Sequence, residues 1–130
     1  MITYKELNLN PKNKRTCDCV IRAITLATGK PYVEVYTDLF NLSLKTGYMI
    51  NDKKTYIKYM EKLGFVKMKQ PRHSDNTKYL IKDLDKVIGN KTAIVSCAHH
   101  LTTIKGGECV DIWDCRYKTA GNYFIKEGDE

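Results

Sequence analysis

The sequence predicts an α+β domain, with helices over the first two thirds of the chain and an antiparallel sheet over the last third. Up to about residue 88, apolar residues recur at intervals of three and four between capping residues and glycines, the period of helices with one buried side. After Gly89 the pattern changes to short β-branched and aromatic runs separated by turn residues, which is how antiparallel strands read. Helices followed by strands, rather than alternating with them, define the α+β layout. A chain of 130 residues is the size of one domain with one core.

The first fifteen residues are polar, carry Pro11, and read as an extended lead-in. A helix is expected from Asp18 to Thr28, with Asp18 as its cap, Gly29 as its stop and Pro31 just beyond. Val20, Ala23, Ile24 and Ala27 form its stripe, and Ile21 and Leu26 widen it into a mostly buried central helix. A second helix starts at Pro31, carries Val33, Tyr36, Leu39 and Phe40, and ends before Gly47. A third is capped by Asp52, carries Tyr56, Ile57, Tyr59, Met60 and Leu63, and stops at Gly64. Phe65 to Met68 reads as a short strand, Pro71 to Asn76 as a loop, and Leu80 to Val87 as a fourth helix. Strands are expected at Ala93 to Cys97, His100 to Ile104, Cys109 to Trp113 and Tyr123 to Ile125, with Lys105-Gly106-Gly107-Glu108 as a hairpin connection.

Composition narrows the functional classes. No stretch approaches the roughly 18 apolar residues of a membrane helix, and the N-terminal residues lack the basic-then-apolar pattern of a signal peptide, so a cytoplasmic protein is expected. The five cysteines are odd in number and are read as reduced thiols. A net charge of +7 includes two basic runs, Lys12 to Arg15 and Lys67 to His73, which suit a solvated surface or an acidic partner. No zinc-finger spacing or RNP-type motif accompanies that charge, so nucleic acid is not the favoured partner.

Three residue types in one order carry the chemistry. Cys19 stands at a helix start, where a thiol loses its proton more readily. His100 heads an apolar strand, and Asp111 lies on the next strand across a tight hairpin. A nucleophilic thiol, an imidazole base and a carboxylate that fixes its tautomer make up a Cys-His-Asp site. Asp114 is the alternate orienter, because side chains alternate faces, and His99 is the alternate base. Trp113 is placed to shield the pair from water. Asp18 opposes a thiolate at Cys19 unless its carboxylate is engaged in capping or in a salt bridge, for example with Arg22. The Cys19 N–H supplies half of an oxyanion hole, and Asn13, six residues earlier, is the candidate side-chain donor.

Asp18-Cys19, His100-Leu101-Thr102-Thr103-Ile104 and Asp111-Ile112-Trp113-Asp114 together resemble the papain-like cysteine peptidase superfamily, including bacteriocin-processing leader peptidases. The chain is also similar, over most of its length, to small phage and Gram-positive bacterial proteins with Asp-Cys-Val-x-Arg-Ala, His-Leu-Thr and Asp-x-Trp-Asp motifs. The resemblance implies one papain-like domain over residues 1–130, with a central nucleophile helix packed on a C-terminal antiparallel sheet. It implies a thiol protease with Cys19, His100 and Asp111 as its triad, a protein or peptide substrate, and no cofactor. Two departures stand out: Asn13 occupies the place of the superfamily's glutamine, and eleven residues separate His100 from Asp111 where the superfamily has more.

Two other readings use the same residues. Cys17, Cys19, Cys97, His99, His100, Cys109 and Cys115 offer soft ligands for zinc, although no Cys-x-x-Cys pair occurs among them. A binding module that holds a host protein or nucleic acid through its basic surface is the non-enzymatic alternative.

Overall fold

The computed structural model describes residues 1–129, which form a mixed α+β fold. Helix α1 (Cys19–Thr28) is closed by Gly29, whose left-handed φ of 74° lets its N–H turn back onto the Thr25 carbonyl. Helix α2 (Tyr32–Thr46) follows Pro31, and α3 (Lys53–Lys62) is capped by Asp52, whose carboxylate accepts the Lys54 N–H at 2.8 Å. A 3₁₀ turn (Ile81–Asp83) leads into the one-turn helix α4 (Asp85–Ile88). The strands are β1 (Thr3–Glu6), β2 (Phe65–Met68), β3 (Ala93–Cys97), β4 (His100–Lys105), β5 (Glu108–Asp111) and β6 (Tyr123–Lys126). They form one sheet in the order β1-β5-β4-β3-β6-β2.

The sheet departs from the expected antiparallel C-terminal layer in two ways. Strand β1 pairs in parallel with β5, Thr3 opposite Glu108, so the sheet is mixed. Both edge strands come from before Gly89, because β2 pairs with β6. The polar lead-in therefore contains a strand. It has no alternating pattern to read, since the fully buried apolar anchor, Ile2, stands just before it, and its backbone is held by the edge that β5 would otherwise leave open. The fourth helix is also shorter than its periodicity suggests. The N–H groups of Ile81 and Lys82 donate to the Lys118 and Arg116 carbonyls, and Leu80 bridges to Thr119, which leaves only one helical turn. The strand expected over 109–113 stops at Asp111.

Alternation along the strands sends side chains into two layers. Ile94, Leu101 and Phe124 pack with Val20, Ile24, Leu39 and Met60 of the helices. Val95, Ile104, Cys109 and Ile125 pack with Ile2, Ile81, Leu84 and Ile88 on the other face. The Thr103 hydroxyl, buried against α1, donates to the Ala23 carbonyl at 2.7 Å and fixes the helix along β4. Among the described residues no helix is long and apolar enough to cross a membrane. If β1 is integral to the sheet, Ile2→Ala costs about 2–4 kcal/mol in urea unfolding, as for a buried core isoleucine. A change near zero would show that the lead-in contributes nothing to stability.

Candidate active site

Cys19 is the first residue of α1, and the residue before it does not cap the helix. The Asp18 carboxylate instead accepts from Arg22 Nε at 2.7 Å, the Tyr32 hydroxyl at 2.8 Å and Asn10 Nδ2 at 3.1 Å. Burial pushes this carboxyl up, but the three donors outweigh it and hold it below its usual range. The negative charge beside Cys19 is thus engaged, and the first N–H groups of the helix stay uncapped at its mouth.

The end of the sheet faces that mouth. A sharp turn between β3 and β4, with His99 at φ 54°, leaves His99 exposed and sets His100 at the head of β4. His100 Nε2 lies 2.6 Å from Asp111 Oδ2. With Nε2 committed to the carboxylate, Nδ1 is the nitrogen left for the thiol. Asp111 is 2% exposed and saturated with donors. Its Oδ2 also accepts the Thr102 hydroxyl at 2.7 Å and has the Cys115 thiol at 3.8 Å. Its Oδ1 accepts Arg22 Nη1 and the Ile112 N–H, both at 2.7 Å. The β4–β5 register explains the choice of aspartate, because Thr103 opposite Val110 sets Thr102 opposite Asp111, one step from His100 on the same face. Asp114 turns away and pairs with Arg116 at 2.8 Å on the surface.

The electrostatics follow from these contacts. Burial pushes the Cys19 thiol up, but the His100 ring and the Leu101 N–H acting on it prevail and lower it. Burial likewise disfavours an imidazolium at His100, yet the Asp111 carboxylate and the neighbouring thiols raise it to about 11. Asp111 is held well below the usual carboxylate range, its own burial notwithstanding, by the bonds from His100 and Thr102. The same set of charges therefore lowers the Cys19 thiol and raises the His100 imidazole. Cys19 and His100 open onto a cavity of about 680 Å³ lined also by Tyr56, Ser96, Leu101 and Trp113. The Trp113 ring stands 5.0 Å from the His100 ring and covers one side of it.

Asn13 is not part of this cluster. It sits in an exposed turn with φ 53°, a conformation asparagine tolerates, and does not line the cavity. Tyr56 on α3 does line it, and its hydroxyl has no hydrogen-bond partner among the described residues. Its helical periodicity reads as core packing, and nothing in the sequence marks the free hydroxyl. Among the described residues one group of three possible ligands, His100, Cys115 and Asp111, lies within 4.8 Å, and the Cys109 sulfur is 3.5 Å from that of Cys115. The Arg22 guanidinium 2.7 Å from Asp111 repels a cation at that point, so the donor set does not fit a metal. The basic run Lys12 to Arg15 is exposed just ahead of the cavity, and in the other run His73 stacks on Tyr79 at 3.7 Å. Arg22 as a bridge to Asp111, and Thr102, escape sequence reasoning. The available signals were an arginine on an otherwise apolar helix face and a threonine two residues along the strand from the histidine.

No family model, curated protein or solved structure matches the chain.

Arg22→Gln removes the cation shared by two buried carboxylates and is expected to cost about 3–5 kcal/mol in urea unfolding. A loss under 1 kcal/mol would show that the ion pairs are not structural. The His100–Asp111 pair has a pH signature as well. The raised imidazolium stabilises the fold fully below its ordinary 6.5, and this contribution is lost as pH rises toward about 11. The stability gap between the wild type and His100→Gln therefore narrows from pH 7 to pH 10. A constant gap would show that His100 gains no proton affinity on folding.

Proposed function

We propose that this chain is a cysteine-dependent acyl-transfer enzyme of papain-like architecture, a thiol peptidase with Cys19 as nucleophile, His100 as acid and base, and Asp111 as orienter. The observation that carries the proposal is the 2.6 Å carboxylate–imidazole bond held at the mouth of the helix that begins with Cys19.

The chemistry needs only groups of the chain. The Cys19 thiolate attacks the carbonyl carbon of a peptide or isopeptide bond and forms the C–S bond, and the carbonyl electron pair moves onto oxygen. The Cys19 N–H at the uncapped helix start faces that oxyanion, and the Tyr56 hydroxyl is the second donor in place of Asn13. As the tetrahedral centre collapses, the C–N bond breaks and the His100 Nδ1 proton goes to the leaving amine. A water deprotonated by His100 then attacks the thioester, releasing the acid and restoring the thiolate–imidazolium pair. With ammonia as the leaving group the same steps deamidate a glutamine, and with an amine as acceptor they exchange its amide. A reducing, cytoplasmic setting keeps the nucleophile as a thiol.

The test is the pH profile of iodoacetamide alkylation at all five cysteines, read by mass spectrometry. Cys19 is expected to react fastest below pH 7 and to lose that lead in His100→Ala. Cys97, whose burial pushes its thiol up to about 12, serves as the unreactive internal standard. A Cys19 profile matching that of exposed Cys17 in both proteins would overturn the enzyme reading. Salt-sensitive nucleic-acid binding indifferent to thiol blockade would then favour the basic-surface module.

A further inference from the structure

Helix α2 has a second apolar side that the fold does not use. It buries Val35, Leu39 and Leu42, while Val33, Tyr36, Phe40 and Leu44 stand 65%, 46%, 50% and 68% exposed. Spacings of three, four and four residues line them up along the outer face of the helix. Met49, just past the Gly47 stop, extends the exposed apolar surface, while the neighbouring Tyr48 ring is taken up by the Lys54 ammonium 4.3 Å from it. The same segment is the least basic part of a basic chain. Residues 31–44 contain no lysine or arginine, although the chain carries 22 of them, and they include Glu34 and Asp38.

The size of this face matters. At roughly 200 Å² per large side chain, Val33, Tyr36, Phe40, Leu44 and Met49 offer roughly 600 Å² of exposed surface. That is the upper end of what monomers leave open, and close to the roughly 800 Å² per partner of a standard interface.

We propose that this face binds a second copy of the chain, α2 against α2, antiparallel about a two-fold axis near its midpoint. A two-fold contact requires a patch that complements itself, and this one does. Antiparallel pairing sets Val33 against Leu44 of the second copy and Tyr36 against its Phe40. Glu34 and Lys45 lie on the same flank of the stripe, and like flanks meet in an antiparallel pair, so each copy's Glu34 faces the other's Lys45. Glu34 also pairs with Lys30 of its own chain at 3.2 Å, an exposed contact that the second lysine can share. A protein of net charge +7 resists approach through its other surfaces, and this face is where repulsion is least. No α2 residue lines the cavity beside Cys19, so the site stays open in the pair.

Sedimentation equilibrium of the full chain from about 1 to 300 μM tests the proposal. The mass is expected to rise from 15.0 kDa toward twice that value, with a micromolar dissociation constant. Phe40→Glu is expected to hold the mass at 15.0 kDa with an unchanged far-ultraviolet circular dichroism spectrum. Glu34→Lys is expected to weaken the dimer roughly tenfold, and adding Lys45→Glu to restore it. A protein that remains a 15.0 kDa monomer throughout would overturn the proposal and leave the face to a different partner. So would a dimer indifferent to Phe40→Glu, or a charge swap that does not rescue.

Discussion

The arrangement turns on one buried carboxylate. Withdrawing a charged aspartate from water costs several kcal/mol, and only a full set of donors offsets that. Asp111 collects them from the helix, the neighbouring strand and its own turn. Arg22 comes from the helix, His100 and Thr102 come from the neighbouring strand, and the Ile112 N–H comes from its own turn. Even its backbone is engaged, since its carbonyl accepts the Leu7 N–H at 3.0 Å and the Tyr4 hydroxyl at 3.2 Å. The orientation of the His100 ring is thus a by-product of satisfying Asp111.

Arg22 gives that network its reach. It lies one helical turn after Asp18, and one guanidinium binds both aspartates, which ties the helix carrying Cys19 to the strand carrying Asp111. Because Asp18 is drawn sideways by Arg22 and Tyr32, it does not fold back over the helix start. A side chain well suited to capping is therefore diverted, and the helix keeps unpaired N–H groups and partial positive charge beside the thiol. Groups fixed before a reaction need no reorganisation during it.

Much of this was legible in the residues, and the limits follow a physical pattern. Helix boundaries at Gly29, Gly47, Asp52 and Gly89 come from local backbone preferences, which sequence states directly. The closeness of His100 and Asp111 was readable because the spacing of a hairpin fixes which strand positions share a face. The register also decides between Asp111 and Asp114, but only once the pairing of Thr103 with Val110 is known. What stayed hidden depends on contacts between distant segments. Strand β1 has almost no pattern of its own and forms because β5 offers an open edge. Asn13 stands at the right interval from Cys19, but the chain turns at that point and carries its side chain elsewhere. Tyr56 looks like packing because most of its ring is packing.

The threading of the sheet also sets when the site can exist. The last strand in sequence, β6, lies between β3 and β2 rather than at an edge, and the first strand pairs with β5 more than a hundred residues away. Such long-range pairings form slowly and late. As the chain leaves the ribosome, Cys19 emerges in the first helix with neither His100 nor Asp111 yet made, and the six-stranded sheet is complete only after Lys126 has emerged. The helix that carries Cys19 is thus made first and given its whole sheet last.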